Sequence, residues 1–378
     1  MNLDSNNDGD IDLAEHSNCI TIMGKLIIDQ NLKILNCANV KMQPCSEIVI
    51  NAHRTLEMDN NIIYGCVQMW RGINVSPFGK LVFTDNEIRD AENAITANGS
   101  PVVLPPGINP NTIIQVTGNL FRKNHIGVFI LGVANVVRNL AHMPFTGNTF
   151  DGNGTGNLLP SCTSNLPNWN ANNGYAGVVV QHIDFTIGMP TDALITNVFV
   201  DLRNGVISEN CALAVFSAEF TDLVGVWTTD HLIPSLANST GIGVLSSTGQ
   251  CEVRRSVFTN CGHGVYAKNC FFGATENHMP NVRRGIEAFS PFAFDLSDND
   301  DIYYRNRGIV ARNLQTSSFS SFLNFSVNRN TIYNFDQGSN RIGIEMNGGN
   351  VIDLLNARIS ENQILLNTDD FGMYVSGV

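Results

Sequence analysis

Residues 243–285 read GVLSSTGQCEVRRSVFTNCGHGVYAKNCFFGATENHMPNVRRG, and the pattern in this stretch repeats every 21 residues. Glycine recurs at Gly243, Gly264 and Gly285, and an Asn or Ser precedes the last two by eight residues, at Ser256 and Asn277. A unit of this length has room for three short strands and three turns. A fixed period of this size is typical of a solenoid, in which each repeat buries its apolar side chains against the next.

The same spacing extends along the chain in both directions. It occurs in six places, namely Asn86 to Ala94, Asn119 to Gly127, Asn197 to Gly205, Ser256 to Gly264, Asn277 to Gly285 and Asp300 to Gly308. Longer insertions separate three further members, Asn148, Asn330 and Asn362. The Gly-type positions fall at 72, 94, 127, 177, 205, 225, 243, 264, 285, 308, 343 and 372. We predict an all-β fold, a single right-handed parallel β-helix of about 12–14 coils with inserted loops, over residues 19–378.

The recurring Asn has a structural interpretation. Asn adopts the left-handed backbone conformation at a sharp corner more readily than most residues. Its side-chain amide can also hydrogen-bond to the equivalent amide one coil away. We therefore predict a ladder of amides that holds the coils together, and not a binding site.

The composition excludes several classes of protein. Hydrophobic residues make up 43% of the chain and charged residues only 15%, whereas a disordered chain needs high charge and low hydrophobicity. A coiled coil needs far more Ala, Glu, Lys and Leu. No apolar run approaches the ~18 residues of a membrane span. The net charge of −12 argues against nucleic acid as a partner, because Lys and Arg drive that contact.

Three segments carry a resemblance to a known family: 66–75 (CVQMWRGINV), 79–81 (GKL) and 88–95 (IRDAENAI). They resemble secreted pectin-lyase-like β-helix proteins of Bacteroidota, and the likeness extends over residues 20–378. The resemblance implies a fold and an extracellular or cell-surface location, and it transfers no catalytic residues. It also implies flanking domains in a longer chain, and the absence of a signal peptide after Met1 agrees with that expectation.

Residues 4–15 (DSNNDGDIDLAE) match the EF-hand calcium loop at every specified position. We predict that residues 1–18 form an EF-hand-like or dockerin-like calcium loop or linker, in which Gly9 makes the sharp turn. Only three residues precede the loop, so no entering helix is expected. The alternative is an acidic tail that binds no metal. The predicted calcium ligands are Asp4, Asn6, Asp8, Asp10, Asp12 and Glu15.

The nine cysteines show no Cys-x-x-Cys motif and therefore no zinc signature. Cys45 and Cys66 are 21 residues apart, and Cys251 and Cys270 are 19 apart, so each pair could stack on successive coils and form a disulfide. The alternative is that the cysteines stay reduced in the interior as small apolar residues.

One group of residues suggests chemistry. A basic or imidazole side chain precedes the Gly-type position in three consecutive coils, which would stack these side chains about 4.8 Å apart. Such a ladder could neutralise a uronate carboxylate while a neighbouring His or Tyr transfers a proton. The alternative is a solvated corner whose charges pair with Asp300 or Asp301. The candidate residues are His263, Arg284, Arg307, Tyr266 and Glu287.

The residue two places after each Gly-type position is expected to point outward. These residues are Asn74, Thr96, Phe129, Val179, Ile207, Trp227, Leu245, Tyr266, Glu287, Val310, Glu345 and Tyr374. This predicted outer face is mostly apolar, and it has no adjacent carboxylate pair of the kind a glycoside hydrolase uses. We therefore favour a non-catalytic extracellular module, structural or adhesive, that binds a glycan or a surface protein. The alternative is a polysaccharide lyase, epimerase or hydrolase centred on the His263 group.

Overall fold

The computed structural model describes residues 10–11, 20–99, 114–132, 144–152, 157–163, 166, 172–191, 194, 197–223, 241–314, 325–334, 341–348, 357–366 and 370–376. Regular structure in these residues is entirely strand, and none of them belongs to a helix that could cross a membrane. The strands are β1 (Asp10–Ile11), β2 (Ile20–Ile22), β3 (Lys25–Ile28), β4 (Leu32–Leu35), β5 (Val40–Met42), β6 (Glu47–Ile50), β7 (Thr55–Asp59), β8 (Ile62–Gly65), β9 (Gly72–Val75), β10 (Lys80–Thr84), β11 (Glu87–Arg89), β12 (Asn93–Asn98), β13 (Ile114–Thr117), β14 (Leu120–Arg122), β15 (Ile126–Leu131), β16 (Phe145–Thr146), β17 (Asn148–Asp151), β18 (Ala176–Gln181), β19 (Phe185–Ile187), β20 (Asn197–Val200), β21 (Asn204–Phe216), β22 (Ala218–Thr221), β23 (Ile242–Arg254), β24 (Val257–Thr275), β25 (His278–Phe289), β26 (Ala293–Ser297), β27 (Ile302–Leu314), β28 (Phe325–Asn328), β29 (Thr331–Asn334), β30 (Ile342–Gly348), β31 (Ala357–Ser360), β32 (Gln363–Leu365) and β33 (Phe371–Ser376).

The contacts divide the chain into two compact units. Unit 1 contains Met1–Thr186, Asn197–Arg203 and Pro234–Asn238, and unit 2 contains Ile187–Thr196, Asn204–Ile233 and Ser239–Val378. Each unit is a stack of coils whose strands pair in parallel with the equivalent strands of the neighbouring coils.

Unit 1 has three stacks of parallel strands. They are β2–β5–β8–β11–β14–β17–β20, β3–β6–β9–β12–β15–β18 and β1–β4–β7–β10–β13–β16. Apolar side chains at one register position form a buried interior column, for example Ile73, Ile95, Val128 and Val178. The six strands of the second stack mark six coils.

Unit 2 has longer strands, and β24 alone runs for 19 residues. The segments β21, β23, β24, β25, β27, β30 and β33 pair in parallel in that order, which marks seven coils among the described residues. Their buried interior column is Val206, Val244, Val265, Ile286, Ile309 and Ile344. The predicted parallel β-helix is confirmed, and the coils of the two units together fall within the predicted number.

Close approach of successive coils explains the recurring Gly. A Cβ atom on Gly243 would lie 2.4 Å from the Phe258 ring and 2.6 Å from the carbonyl oxygen of Gly264. Real Cβ atoms essentially never make contacts this short, so glycine is required here. The predicted position Gly225 lies outside the described residues, and β21 pairs directly with β23.

The ladder of buried Asn side chains is present in both units. The Asn86 amide donates to the carbonyl oxygen of Met58 at 2.9 Å, and the Asn119 Oδ1 accepts from the Asn86 backbone N–H at 2.9 Å. The Asn86 amide also donates to the Asn119 Oδ1 at 3.2 Å, so the Asn86 side chain links three coils. The ladder contains Asn61, Asn86, Asn119, Asn148 and Asn197 in unit 1, and Asn277, Asn299, Asn330 and the partly exposed Asn362 in unit 2.

Two details of the ladder prediction are wrong. Where the preceding residue is described, it is the one before the ladder Asn that is left-handed, for example Asp85 (φ 52°) and Glu276 (φ 57°), because the ladder side chain itself must point inward. In addition, the ladder position that was assigned to Asp300 belongs to Asn299, which is fully buried and hydrogen-bonds to Asn330.

The described cysteines, eight of the nine, are all free thiols, and Cys19 lies outside the described residues. The predicted stacking of Cys251 on Cys270 is wrong, because the register pairs Cys270 with Gly249 and Cys251 with Phe272. The register of β5 and β6 with β8 and β9 likewise does not align Cys45 with Cys66.

Candidate functional site

The strand register brings the five candidate residues of unit 2 together. His263 in β24 pairs with Arg284 in β25, and Arg284 pairs with Arg307 in β27. Tyr266 pairs with Glu287 in the same two strands that carry His263 and Arg284. Because the strands are parallel and in register, residues that are one repeat apart in the sequence lie next to each other on neighbouring strands.

The five side chains lie on the outer side of the coils. Val265 and Ile286 face the interior, so Tyr266 and Glu287, one residue further, face outward. A Cβ on Gly264 would also point inward, toward Met279, so strand alternation is interrupted at this glycine. Because of this interruption the His263 side chain lies on the outer side of the coil. This agrees with the expectation that the residues before the Gly-type positions point outward.

His263 and Glu287 form the centre of the site. The His263 Nε2 lies 3.1 Å from the Glu287 Oε2, and both side chains are more than 90% buried. The Arg284 Nη1 donates to the same carboxylate oxygen at 2.7 Å. The Tyr266 ring packs edge-on against the imidazole, with 5.9 Å between the ring centroids.

The surroundings determine the charge of each group. Burial by itself raises the pKa of Glu287, but the hydrogen bonds and charges of His263 and Arg284 outweigh it and lower this pKa to about 2. Burial lowers the pKa of the His263 imidazole below its usual range, against the opposing effect of Glu287. Burial raises the pKa of the Tyr266 hydroxyl. At neutral pH the site therefore contains a carboxylate, a neutral imidazole and a protonated phenol.

These charges fix the tautomer of His263. An ionised carboxylate only accepts hydrogen bonds, so the Nε2 that contacts Glu287 must carry the proton. In a neutral imidazole the other nitrogen, Nδ1, then holds the lone pair. The arrangement is that of a general base held in one orientation by a carboxylate.

A second carboxylate extends the site across the following coils. The Arg307 Nε donates to the Glu345 Oε2 at 2.8 Å, and the Arg312 Nε donates to the Glu345 Oε1 at 3.2 Å. Arg312 also reaches Glu287, with 3.8 Å between its Nη1 and the Glu287 Oε1. Burial raises the pKa of Glu345 by itself, but the hydrogen bonds of Arg312 and Arg307 lower it overall.

Among the described residues, the cluster contains three guanidinium groups and two carboxylates, so this part of it carries more positive than negative charge. The guanidinium groups belong to Arg284, Arg307 and Arg312. Arg283 lies beside Arg284, and burial together with this like charge lowers the Arg283 pKa. A carboxylate ligand would compensate the excess charge.

Two expectations about the surroundings are wrong. The predicted outer face is not exposed in its central part, where Ile207, Leu245 and Val310 are buried together with Tyr266 and Glu287. The charges of the site also do not pair with Asp300 or Asp301. Those two carboxylates approach His278 instead, at 3.8 and 3.4 Å from its Nδ1.

Arg312 and Glu345 belong to the cluster, although neither was a candidate from the sequence. Glu345 lies in register with Val310, which lies in register with Glu287, so the column of outward positions does contain both glutamates. The repeat in the sequence therefore does relate the two glutamates. The relation is hard to recognise in the sequence because the apolar Val310 occupies the coil between them and a long insertion separates Val310 from Glu345.

The predicted calcium loop is largely outside the described residues. Asp10 is described as part of the short strand β1, which pairs in parallel with β4. The other predicted ligands, namely Asp4, Asn6, Asp8, Asp12 and Glu15, lie outside the described residues.

Comparisons with known proteins give a limited result. No family model matches the chain, and neither does any curated protein sequence. The crystal structure of the periplasmic alginate epimerase AlgG is similar at 11% identity and a TM-score of 0.48, covering 95% of this chain and 84% of that one. A mutant of the same epimerase has 10% identity and a TM-score of 0.32, covering 98% and 84%. Likenesses this remote carry no information about the activity of this chain.

Proposed function

We propose that this protein acts on extracellular polysaccharides that contain uronate, as a lyase or an epimerase. The observation that supports the proposal is the neutral His263 imidazole, held by the ionised Glu287 in a cluster whose described residues include three guanidinium groups. A uronate presents a carboxylate and, on the adjacent carbon, a weakly acidic proton. The first would pair with the guanidinium groups, and the second is the substrate of a general base.

The proposed chemistry follows from these roles. The Nδ1 atom of His263 is buried in this structure, so the proposed reaction requires the side chains around it to move apart when the substrate binds. Nδ1 then removes the proton adjacent to the uronate carboxylate, and Arg284 and Arg307 stabilise the charge that develops on this carboxylate. In a lyase the glycosidic oxygen on the next carbon then leaves and a double bond forms. In an epimerase a proton returns to the opposite face of the same carbon, with the Tyr266 hydroxyl as the donor.

Hydrolysis is a weaker proposal than either of these reactions. Most glycoside hydrolases use two carboxyl groups, one protonated as the general acid and the other ionised as a base or nucleophile. His263 and Arg284 lower the pKa of Glu287, and Arg312 and Arg307 lower the pKa of Glu345, so neither glutamate is suited to act as a general acid at neutral pH.

A panel of polysaccharides tests the proposal. Purified protein should turn over one or more polyuronates and no neutral glycan, with calcium present in all samples. His263→Gln should lower kcat by about 10²-fold or more, as expected for loss of a general base. His278→Gln is the matched control, because His278 lies in the same strand system but contacts Asp300 and Asp301. Equal activity of the two variants would contradict the role of His263.

A non-catalytic glycan-binding or adhesive module is the second candidate, and a different observation supports it. Tyr303 and Tyr333 stack on successive coils with 4.6 Å between ring centroids, and both are partly exposed. Stacked aromatic rings are suited to contact with the apolar faces of sugars. This candidate predicts binding without turnover, and it predicts that Tyr333→Ala weakens binding more than His263→Gln does.

A further inference from the structure

An inserted segment of unit 1 is anchored on the coils by one buried carboxylate. Segment 157–163 lies between β17 and β18, and its Pro160 carbonyl accepts a hydrogen bond from the Met69 backbone N–H at 2.9 Å. The Glu92 Oε1 accepts from the Ser161 hydroxyl at 2.6 Å and from the backbone N–H groups of Cys162 and Thr163 at 3.0 Å each. These contacts fix the backbone of the segment at Cys162.

Glu92 is suited to this task. It is 6% exposed, and it also accepts from the Thr163 hydroxyl at 2.9 Å. Burial by itself raises the pKa of Glu92, but the hydrogen bonds from Ser161 and Thr163 outweigh it and lower the pKa overall. The carboxylate is therefore ionised at neutral pH, and charge-assisted hydrogen bonds of this kind are the stronger ones.

The anchored segment brings two thiols together across 117 residues of sequence. Cys45 lies in the turn between β5 and β6, with φ 60°, and its backbone N–H donates to the carbonyl oxygen of Met69 at 3.2 Å. The Cys45 Sγ lies 3.4 Å from the Cys162 carbonyl oxygen, and the interaction with Cys45 contributes to raising the pKa of the Cys162 thiol. Both cysteines are free and partly exposed, and the interaction with Cys162 raises the pKa of the Arg71 guanidinium.

We propose that Cys45 and Cys162 form a reversible disulfide that fastens segment 157–163 to the coils of unit 1 under oxidising conditions. The sequence suggested other partners, Cys66 for Cys45 and none for Cys162. The pairing of Cys45 with Cys162 is inferred from the contacts of segment 157–163 with the coils, and the spacing of the cysteines in the sequence does not indicate it. The proposal does not depend on the activity proposed for unit 2.

The reaction is thiol–disulfide exchange with a small-molecule disulfide as oxidant. One protein thiolate attacks a sulfur of the oxidant and releases one thiol, which leaves a mixed disulfide. The second protein thiolate attacks the protein-side sulfur of this mixed disulfide and releases the second thiol. Two electrons pass to the oxidant, and the two protons of Cys45 and Cys162 end on the released thiols.

The environment of Cys162 predicts how the rate depends on pH. Burial, the neighbouring Cys45 and the Glu92 carboxylate raise the pKa of the Cys162 thiol to about 12. Because only the thiolate reacts, the exchange should be slow at neutral pH and should become faster as the pH rises.

Peptide mapping tests the proposal on the full chain. Protein is equilibrated with oxidised glutathione, free thiols are alkylated, and proteolytic peptides are analysed by mass spectrometry without reduction. A cross-linked pair of Cys45 and Cys162 peptides, lost on reduction, is the expected result. Cys45→Ser and Cys162→Ser should each abolish it, whereas Cys66→Ser, a partly exposed cysteine of the same unit, should leave it intact. Separate alkylation of Cys45 and Cys162, or a Cys45–Cys66 cross-link, would overturn the proposal.

A second readout concerns the anchor. Glu92→Ala removes both the acceptor that positions Cys162 and the charge that raises the pKa of its thiol. Glu92→Gln removes the charge but keeps an acceptor, so Glu92→Ala should form the cross-link several-fold more slowly than Glu92→Gln. Oxidation should also slow amide hydrogen exchange at Cys162 and Thr163 in the wild type but not in Cys45→Ser. If the cross-link formed equally fast in Glu92→Ala and Glu92→Gln, the anchored geometry would not be its cause.

Discussion

Asn277→Leu is the sharpest test of the ladder that joins the coils. The Asn277 side chain is fully buried, accepts from the Ser256 backbone N–H at 3.0 Å and donates to the Val253 carbonyl oxygen at 3.0 Å. It also donates to the Asn299 Oδ1 at 3.0 Å. Leu has nearly the same size but leaves the Ser256 N–H without its acceptor and removes a donor from the Val253 carbonyl.

The size of the expected loss of stability follows from these two backbone groups, the Ser256 N–H and the Val253 carbonyl. A buried group left without its hydrogen bond costs about 1–3 kcal/mol, and the apolar Leu side chain recovers part of this by burial. We expect a net loss of about 2 kcal/mol in the free energy of unfolding, which corresponds to roughly a 30-fold change in the folded-to-unfolded ratio.

Urea unfolding followed by circular dichroism measures the loss, and hydrogen exchange at Ser256 locates it. Asn281→Leu is the matched control, because Asn281 lies in strand β25, which begins directly after Asn277, and its amide forms an exposed hydrogen bond with Asn260. The control should change the free energy of unfolding by no more than about 0.5 kcal/mol. Equal effects of the two variants would refute the reasoning that the inward amide, and not Asn in general, holds the coils together.

Gly243→Ala should lower the urea midpoint because its methyl group would overlap the next coil, whereas Gly273→Ala, which meets nothing within 4 Å, should raise stability by about 0.4–1 kcal/mol. Changes of the same sign at both glycines would contradict the steric account. Because the folded pKa of His263 lies below 6.5, the unfolded chain takes up this proton first, so stability should fall as the pH drops below about 6.5. His263→Gln should remove that part of the acid loss, as thermal unfolding between pH 7 and 5 would show. Calcium should protect residues 4–15 from proteolysis with an affinity of about 10⁻⁵–10⁻³ M, and Asp4→Ala combined with Glu15→Ala should abolish this protection. Calorimetry that detects no calcium binding in the wild type would leave only an acidic tail.

Much of the fold could be predicted because, in a parallel β-helix, residues that are one repeat apart in the sequence occupy equivalent positions on successive coils. The residues before Gly264, Gly285 and Gly308 are the clearest example, since they align across three coils as their spacing indicates. Period, strand direction and interior columns all depend on local spacing, so the sequence contains them directly.

Other features depend on contacts between distant segments and were not predictable in this way. Burial of Ile207 and Val310 on the outer side of their strands is not visible in strand alternation, which indicates only the direction of a side chain. The contact of Cys45 with Cys162 arises from an insertion anchored by Glu92, and no repeat period relates these residues.

The assignment of the left-handed corner residue failed for a simpler reason. Asn satisfies two requirements equally well, a positive φ and an inward amide ladder, and the sequence does not distinguish them. In the structure Glu276 adopts the positive φ while Asn277 supplies the amide, so neighbouring residues divide the two tasks.

Exchange of the proton adjacent to the uronate carboxylate tests the central proposal most directly. The protein is incubated with polyuronates in D₂O, and the sugars are analysed by NMR for deuterium on that carbon or for a new double bond beside it. The account predicts one of these two products with the wild type and a decrease of about 10²-fold or more with His263→Gln. Polyuronate that binds without either change, or a His263→Gln variant as active as the wild type, would contradict it.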